Sequence, residues 1–152
     1  MKAVYMASAL LLISTCNALA VPPQIPNPEL TPGAVLTTDR GKICTPGYSK
    51  SVRNVSTVEK NAVYREYGIT SHRPGEYEVD HLISLELGGS NDIANLWPQS
   101  YVTSPLNAHA KDKLENRLHA LVCSGRITIE AAQKAIANDW TQAYRQYVGP
   151  QH

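Results

Sequence analysis

The sequence predicts a single α+β domain in which a short strand region is embedded among helices. Three observations support this prediction: alternating apolar residues in 76–85, apolar residues at helical spacing in 107–148, and a cysteine pair able to close the domain. Without the first 20 residues, about 130 remain, which suits one domain with a modest core. We therefore expect one domain over 36–150.

The chain begins with a segment typical of an export signal. One positive charge precedes a short apolar run that ends in Ala18, Leu19 and Ala20, the small-x-small pattern of a signal peptidase site. We expect residues 1–20 to be removed and the protein to be secreted or periplasmic. A lipid anchor on Cys16 is the weaker alternative, because the residues before it fit such a site poorly. The rest of the chain lacks the roughly 20 consecutive apolar residues of a membrane span, so we expect no membrane association after cleavage.

Prolines and capping residues divide the chain into further elements. Five prolines in 21–35 predict an extended arm, since proline fixes φ and removes a backbone donor. Ser56 and Glu59 have the spacing of a capping box, and Gly68 suits a helix end, which predicts a helix over 57–67. Its apolar side is expected to include the following three residues: Val58, Val63 and Tyr64.

A strand is predicted over 76–85, after the Pro74-Gly75 turn signal. Tyr77, Val79 and Ile83 have even spacing and would share one face. The Gly-Gly-Ser-Asn-Asp run of 88–92 then predicts a loop, because glycine and asparagine tolerate positive φ.

Two long helices are predicted in the last third of the chain. The first, over 107–122, has a stripe formed by Ala110, Leu114, Leu118 and Leu121. The second, over 129–148, follows Thr128, a suitable N-cap. Because the connection is short, we expect the helices to pack as an antiparallel pair.

Two cysteines remain after signal removal, Cys44 and Cys123. An even pair in an exported protein is most simply a disulfide. Two buried free thiols are the alternative, and a zinc site is less favoured because no Cys-x-x-Cys spacing is present.

Charge is unevenly distributed along the chain. Residues 40–73 contain seven Lys or Arg and two acids, whereas 76–92 contain five acids and no Lys or Arg. A basic segment beside an acidic one suits a polyanion-binding surface around a cation site, although solvated faces produce similar runs.

Asp80 and His81 are the first candidates for chemistry. A carboxylate suits a hard cation such as Mg²⁺, Mn²⁺ or Ca²⁺, and an imidazole that titrates near neutrality suits removal of a proton from water. Side chains of neighbouring strand residues point in opposite directions, but both can reach one site at a strand end.

The stretch from Asp80-His81 through the Gly-Gly loop to Asn95-Leu96-Trp97 closely resembles the core of HNH endonucleases. The resemblance covers about residues 77–115 and implies a ββα-metal core, in which a β-hairpin packs on one helix and holds a single divalent cation. It implies Asp80 as a metal ligand, His81 as the general base and Asn95 as the side chain that fixes the imidazole or the loop.

The last metal ligand is less well defined by this resemblance, because the interval between the middle Asn and the next candidate ligand is longer here than in many HNH proteins. Asn107 and His109 are the candidates; Asn107 is favoured because it shares a helix side with Lys111 and Glu115. Glu115 is similar in placement to a Glu that supports the metal's water shell in related non-specific nucleases.

Cations near this motif are candidate phosphate contacts. Lys111 and Arg73 are the main candidates, and for each the alternative is a solvated surface cation.

Together these features predict an exported, metal-dependent endonuclease that hydrolyses DNA with low sequence specificity; RNA remains an open substrate. We expect one divalent ion, Mg²⁺ before Mn²⁺, Ca²⁺ or Zn²⁺, since oxygen ligands with one imidazole accept most of these. The expected partners are nucleic acid and, for a toxin-like effector, an inhibitor or immunity protein; we expect a monomer. The alternatives are such an effector and an inactive HNH-fold module that binds nucleic acid or protein.

Overall fold

The structure is a computed structural model that describes residues 24–149. The predicted signal peptide and the first residues of the arm lie outside this range. The described residues form an α+β domain, as predicted, with a two-stranded antiparallel hairpin and five helices. In chain order the elements are α1 (Arg40–Ile43), α2 (Tyr48–Val52), α3 (Thr57–Glu66), β1 (Tyr77–His81), β2 (Leu96–Ser100), α4 (Ala108–Cys123) and α5 (Ile129–Tyr147).

The hairpin pairs β1 with β2 so that Tyr77 lies opposite Ser100 and His81 opposite Leu96. The predicted strand over 76–85 therefore ends four residues early. Beyond His81 the Asn95 side chain takes the place of a strand partner: its Oδ1 accepts the Ile83 N–H at 2.9 Å and its Nδ2 donates to Ile83 O at 2.9 Å. The chain can then turn into the connection between the strands.

The predicted glycine loop lies within this connection and is tightly packed. Gly88 has a φ of 78°, and a Cβ on Gly89 would lie 1.8 Å from Ile83 O. Any residue with a Cβ atom at position 88 or 89 would clash with backbone oxygens, those of Thr37 and Ile83 respectively. Leu36 N and Thr37 N donate to Gly88 O, which ties the loop to the segment that follows the arm.

Helix α3 begins with the predicted capping box. Ser56 accepts the Glu59 N–H at 3.2 Å, and the Glu59 carboxylate accepts the Ser56 N–H at 2.7 Å. The predicted apolar side is wrong for Val58, which is 75% exposed, whereas Val63 is buried. The two residues are about 140° apart around a helix, so they cannot both face the core.

Helices α4 and α5 are the main packing pair, as predicted. The shared core contains the following buried residues: Leu114, Leu118, Val122, Ala132, Ile136 and Trp140. The Thr128 hydroxyl caps α5 by accepting the Ala131 N–H at 3.1 Å. A kink at Asp139, with φ −162° and ψ 97°, was not predicted; the Asp139 carboxylate recaps the second half by accepting the Thr141 N–H.

The predicted disulfide between Cys44 and Cys123 is present, with 5.7 Å between the Cα atoms. It joins the chain just after α1 to the last residue of α4. His119 lies beside it, with Nε2 3.0 Å from Ile43 O.

The described part of the arm, 24–35, packs along the domain. Thr31 is buried and its hydroxyl donates to Leu96 O at 2.9 Å, while Trp140 Nε1 donates to Gln24 O at 2.9 Å. Among residues 24–149, none of the helices combines the length and apolar character needed to cross a bilayer.

Candidate functional site

A polar pocket of about 170 Å³ opens where the end of β1 meets α2 and α4. It brings together predicted site residues with others that the sequence did not single out. The lining residues are Ser49, Arg53, Asp80, His81, Ser84, Leu85, Glu86 and Glu115. Asp80, His81 and Glu115 therefore share one pocket, as their predicted roles require.

His81 is the last residue of β1 and is only 2% exposed. Its Nε2 lies 3.1 Å from Asn91 Oδ1. An amide oxygen only accepts hydrogen bonds, so Nε2 carries the proton and Nδ1 keeps its lone pair. Burial lowers the pKa of His81, and the Asn91 contact and the charge of Asp80 oppose this only in part. The imidazole is therefore neutral near pH 7 and able to accept a proton.

Asn91 holds more than the histidine. Its Nδ2 donates to Val52 O at 2.8 Å, and its Oδ1 also accepts the Asn54 N–H at 3.2 Å. These contacts fix the orientation of the amide, since Val52 O can only accept. One side chain thus fastens His81 to the chain segment after α2.

Lys111 is the buried cation of the site. Its side chain is 0% exposed, and its ammonium donates to Asp80 Oδ2 at 2.7 Å, to His81 O at 2.7 Å and to Glu115 Oε1. Burial alone would lower the pKa of Lys111, but Asp80 and Glu115 outweigh it, so the pKa is raised and the charge retained. The predicted phosphate contact is wrong for Lys111, because all three donors are used inside the protein.

Three carboxylates line the pocket: Asp80, Glu86 and Glu115. Burial raises the pKa of Glu86 and that of Glu115; for Glu115 the Lys111 ammonium opposes the rise and the charge of Asp80 adds to it. Lys111 contacts one oxygen each of Asp80 and Glu115, which leaves the second oxygen of each as an acceptor. Such oxygen donors fit a hard divalent cation.

The spacing of these donors limits how a cation would be held. Within residues 24–149, the group of three His, Cys, Asp or Glu residues whose ligand atoms lie within 4.8 Å of one another is Cys44, His119 and Cys123. The two sulfurs of that group form the disulfide, so it is not free to bind an ion. Asp80, Glu86 and Glu115 do not form such a group of three within the described residues.

The structure does not bring Asn107 or His109 to the pocket. Asn107 is the N-cap of α4: Oδ1 accepts the Ala110 N–H at 3.3 Å and Nδ2 donates to Tyr101 O at 3.0 Å. His109 is exposed, with its ring centroid 5.2 Å from that of Tyr101. The reason is local, because the helix begins at this point and its first turn faces the 101–107 connection.

Asn95 fixes the loop and not the imidazole. Besides its two contacts with Ile83, its Nδ2 donates to Ser90 O at 2.8 Å.

Arg73, the other predicted phosphate contact, does not line the pocket. Its side chain is 87% exposed, and its Nε lies 3.8 Å from Oε2 of Glu76.

Sequence reasoning missed Arg53, Ser84, Glu86 and Asn91 as site residues. Glu86 was visible as a member of the acidic run, and Asn91 as a polar residue in the glycine loop. Arg53 lies 27 residues before Asp80 in the chain, and no local pattern connects the two. No family model, curated protein or solved structure matches this chain.

Proposed function

We propose that this chain is an exported, metal-dependent endonuclease of the HNH type that hydrolyses phosphodiester bonds of DNA with little sequence specificity. The observation that carries this proposal is the imidazole of His81, held by Asn91 in a polar pocket that the carboxylate of Asp80 also lines. The sequence resemblance over about 77–115 supplies the reaction class.

The hairpin and α4 form the ββα core in this proposal. It is supported by the contacts of Lys111, which joins α4 to the carboxylate of Asp80 and to the backbone of His81 at the end of β1. These contacts hold α4, the helix that follows the hairpin in the chain, against the end of the hairpin that bears the Asp-His pair.

His81 acts as the general base. Its Nδ1 takes a proton from the water that attacks phosphorus, while Nε2–H stays on Asn91 Oδ1 and stabilises the imidazolium that forms. The bond from phosphorus to the 3′ oxygen breaks, and the leaving oxygen is protonated from solvent. The acid residues Asp80, Glu86 and Glu115 would hold a divalent cation, which supplies charge stabilisation for the phosphate when bound.

The test is cleavage of supercoiled plasmid, single-stranded DNA and RNA in Mg²⁺ or Mn²⁺, against the same reactions in EDTA. The unmutated protein, with its Cys44–Cys123 disulfide intact, is expected to cut DNA only when the metal is present. His81→Ala should reduce the rate about a hundredfold or more, the lower range for loss of a general base. His109→Ala is the matched control and should cut like the parent, because its ring is exposed outside the pocket.

Two results would contradict the proposal. A folded parent without cleavage in any metal would overturn the activity and favour an inactive binding module. A His81→Ala protein as active as the parent would remove His81 as the base.

A further inference from the structure

The lining of the polar pocket is not acidic throughout. Arg53 and Ser49 line the pocket from the α2 side, and Ser84 lines it from the loop after β1. The pocket is thus lined by one guanidinium and by three carboxylates. A ligand that combines an anionic group with a bound cation would match this arrangement.

Arg53 has no hydrogen bond or ion pair with any residue in 24–149, although acidic side chains line the same pocket. It lines the same pocket as the imidazole of His81. A guanidinium offers five donors in a planar fork that matches phosphate oxygens, and the exposed fork of Arg53 has no partner within residues 24–149.

The backbone around Arg53 is held in place, which distinguishes it from an ordinary surface cation. Val52 O and Asn54 N, on either side of Arg53, both bond the Asn91 side chain, which also contacts His81. The backbone at Arg53 is therefore tied to His81 through one part-buried side chain, that of Asn91.

Ser84 gives an independent indication of a ligand. Its side chain is 4% exposed, and its Oγ has no hydrogen-bond partner among the described residues. A buried hydroxyl without a partner is unfavourable, so an occupant with an acceptor oxygen would stabilise this position.

We propose that Arg53, with the hydroxyl of Ser84, forms the phosphate-binding part of the pocket and positions the phosphodiester next to His81. The reaction in this inference rests on the proposed function. The binding of the ligand, the phosphodiester of a DNA strand, does not rest on it. It assigns the phosphate contact to a residue before the hairpin, in place of Lys111.

The test compares Arg53→Ala and Arg53→Lys with Lys50→Ala. Lys50 is an exposed cation of α2, three residues before Arg53, and does not line the pocket, so its removal changes the net charge equally. We expect Arg53→Ala to lower kcat/KM for a short DNA duplex about ten- to a hundredfold, the range of a hydrogen bond to a charged group. Arg53→Lys should recover part of this loss, and Lys50→Ala should stay within about twofold, since it makes no local contact.

A second measurement separates this inference from the activity. The same proteins are titrated with a fluorescent DNA duplex in EDTA, where no metal-dependent cleavage occurs, and circular dichroism confirms folding. If the parent does not cleave but Arg53→Ala binds more weakly than Lys50→Ala, the proposed function fails and the phosphate site stands. If the parent cleaves and Arg53→Ala matches Lys50→Ala in both cleavage and binding, Arg53 is not the phosphate contact.

Discussion

Lys111 donates its ammonium to three acceptors at once, and this determines how the site residues are arranged. It holds one oxygen of Asp80 and one of Glu115 and bonds the backbone of His81. Burying a charged ammonium costs desolvation free energy, and here the two carboxylates that accept its hydrogen bonds offset that cost. Lys111 is thus the internal counter-ion of Asp80 and Glu115.

Lys111→Met is expected to lower the free energy of unfolding by about 3–5 kcal/mol, the usual cost of removing one partner of a buried ion pair. The loss should lie at the lower end, because the carboxylates of Asp80 and Glu115 retain some exposure. Urea unfolding monitored by tryptophan fluorescence measures this, with Lys113→Met as the exposed control on α4.

Adding Glu115→Gln to Lys111→Met should recover part of the lost stability, since it removes one of the carboxylates left without a counter-ion. If Lys111→Met unfolds at the same urea concentration as Lys113→Met, the ammonium does not stabilise the site.

That Asp80 and His81 line one pocket could be predicted, because adjacent residues at a strand end share one environment. The role of Lys111 could not, since a lysine on a polar-edged helix is usually solvated, and only packing decides its burial. Arg53 was equally hidden, because its connection to His81 passes through Asn91 and two backbone groups that are distant in the sequence.

Helix α4 illustrates the competition between capping and ligation. Asn107 is a favourable N-cap, and its amide is already used by Ala110 N and Tyr101 O. A side chain committed in this way cannot also hold a cation in the pocket without breaking the cap.

Asn107→Ala should therefore lower the free energy of unfolding by about 1 kcal/mol, the typical value for loss of a cap. Asn107→Ser should keep most of the stability, because serine caps well. Thermal unfolding and the Mg²⁺ concentration for half-maximal cleavage are measured together, and the latter should not change. An Asn107→Ala protein with parental stability but a raised metal requirement would instead make Asn107 a ligand.

The boundaries of α3, α4 and α5 were predictable because capping residues mark helix starts locally. The end of β1 was not, since Asn95, 14 residues after His81, provides the hydrogen bonds that let the chain leave the strand. The kink at Asp139 was likewise invisible to apolar spacing, which continues through it from Ile136 to Trp140 and Tyr144.

At the scale of the whole molecule, the α+β class and the disulfide followed from pattern and compartment, whereas the pocket did not. It is assembled from α2, the end of β1, the following loop and α4, which lie up to 66 residues apart between Ser49 and Glu115. Periodicity describes each element separately and contains no information on which side chains meet.

The disulfide closes a large part of this assembly into one loop. Cys44 and Cys123 are 79 residues apart and enclose α2, the hairpin and all the residues that line the pocket. Loop closure of this length is expected to stabilise the folded state by on the order of 4 kcal/mol. The bridged protein should thus unfold at a clearly higher temperature than the reduced protein, as measured by calorimetry with and without reductant.

The Cys44→Ala/Cys123→Ala protein is the matched control for this measurement, and its unfolding temperature should be low and indifferent to reductant. Because the enclosed loop includes all the residues that line the pocket, reduction is expected to impair cleavage only near the lowered unfolding temperature and not well below it. Equal unfolding temperatures for oxidised and reduced parent would show that contacts within the enclosed loop, above all the α4–α5 core, hold the domain together without the bridge. The loss of activity at low temperature on reduction, with the fold intact, would instead mean that the disulfide positions α2 and Arg53 directly.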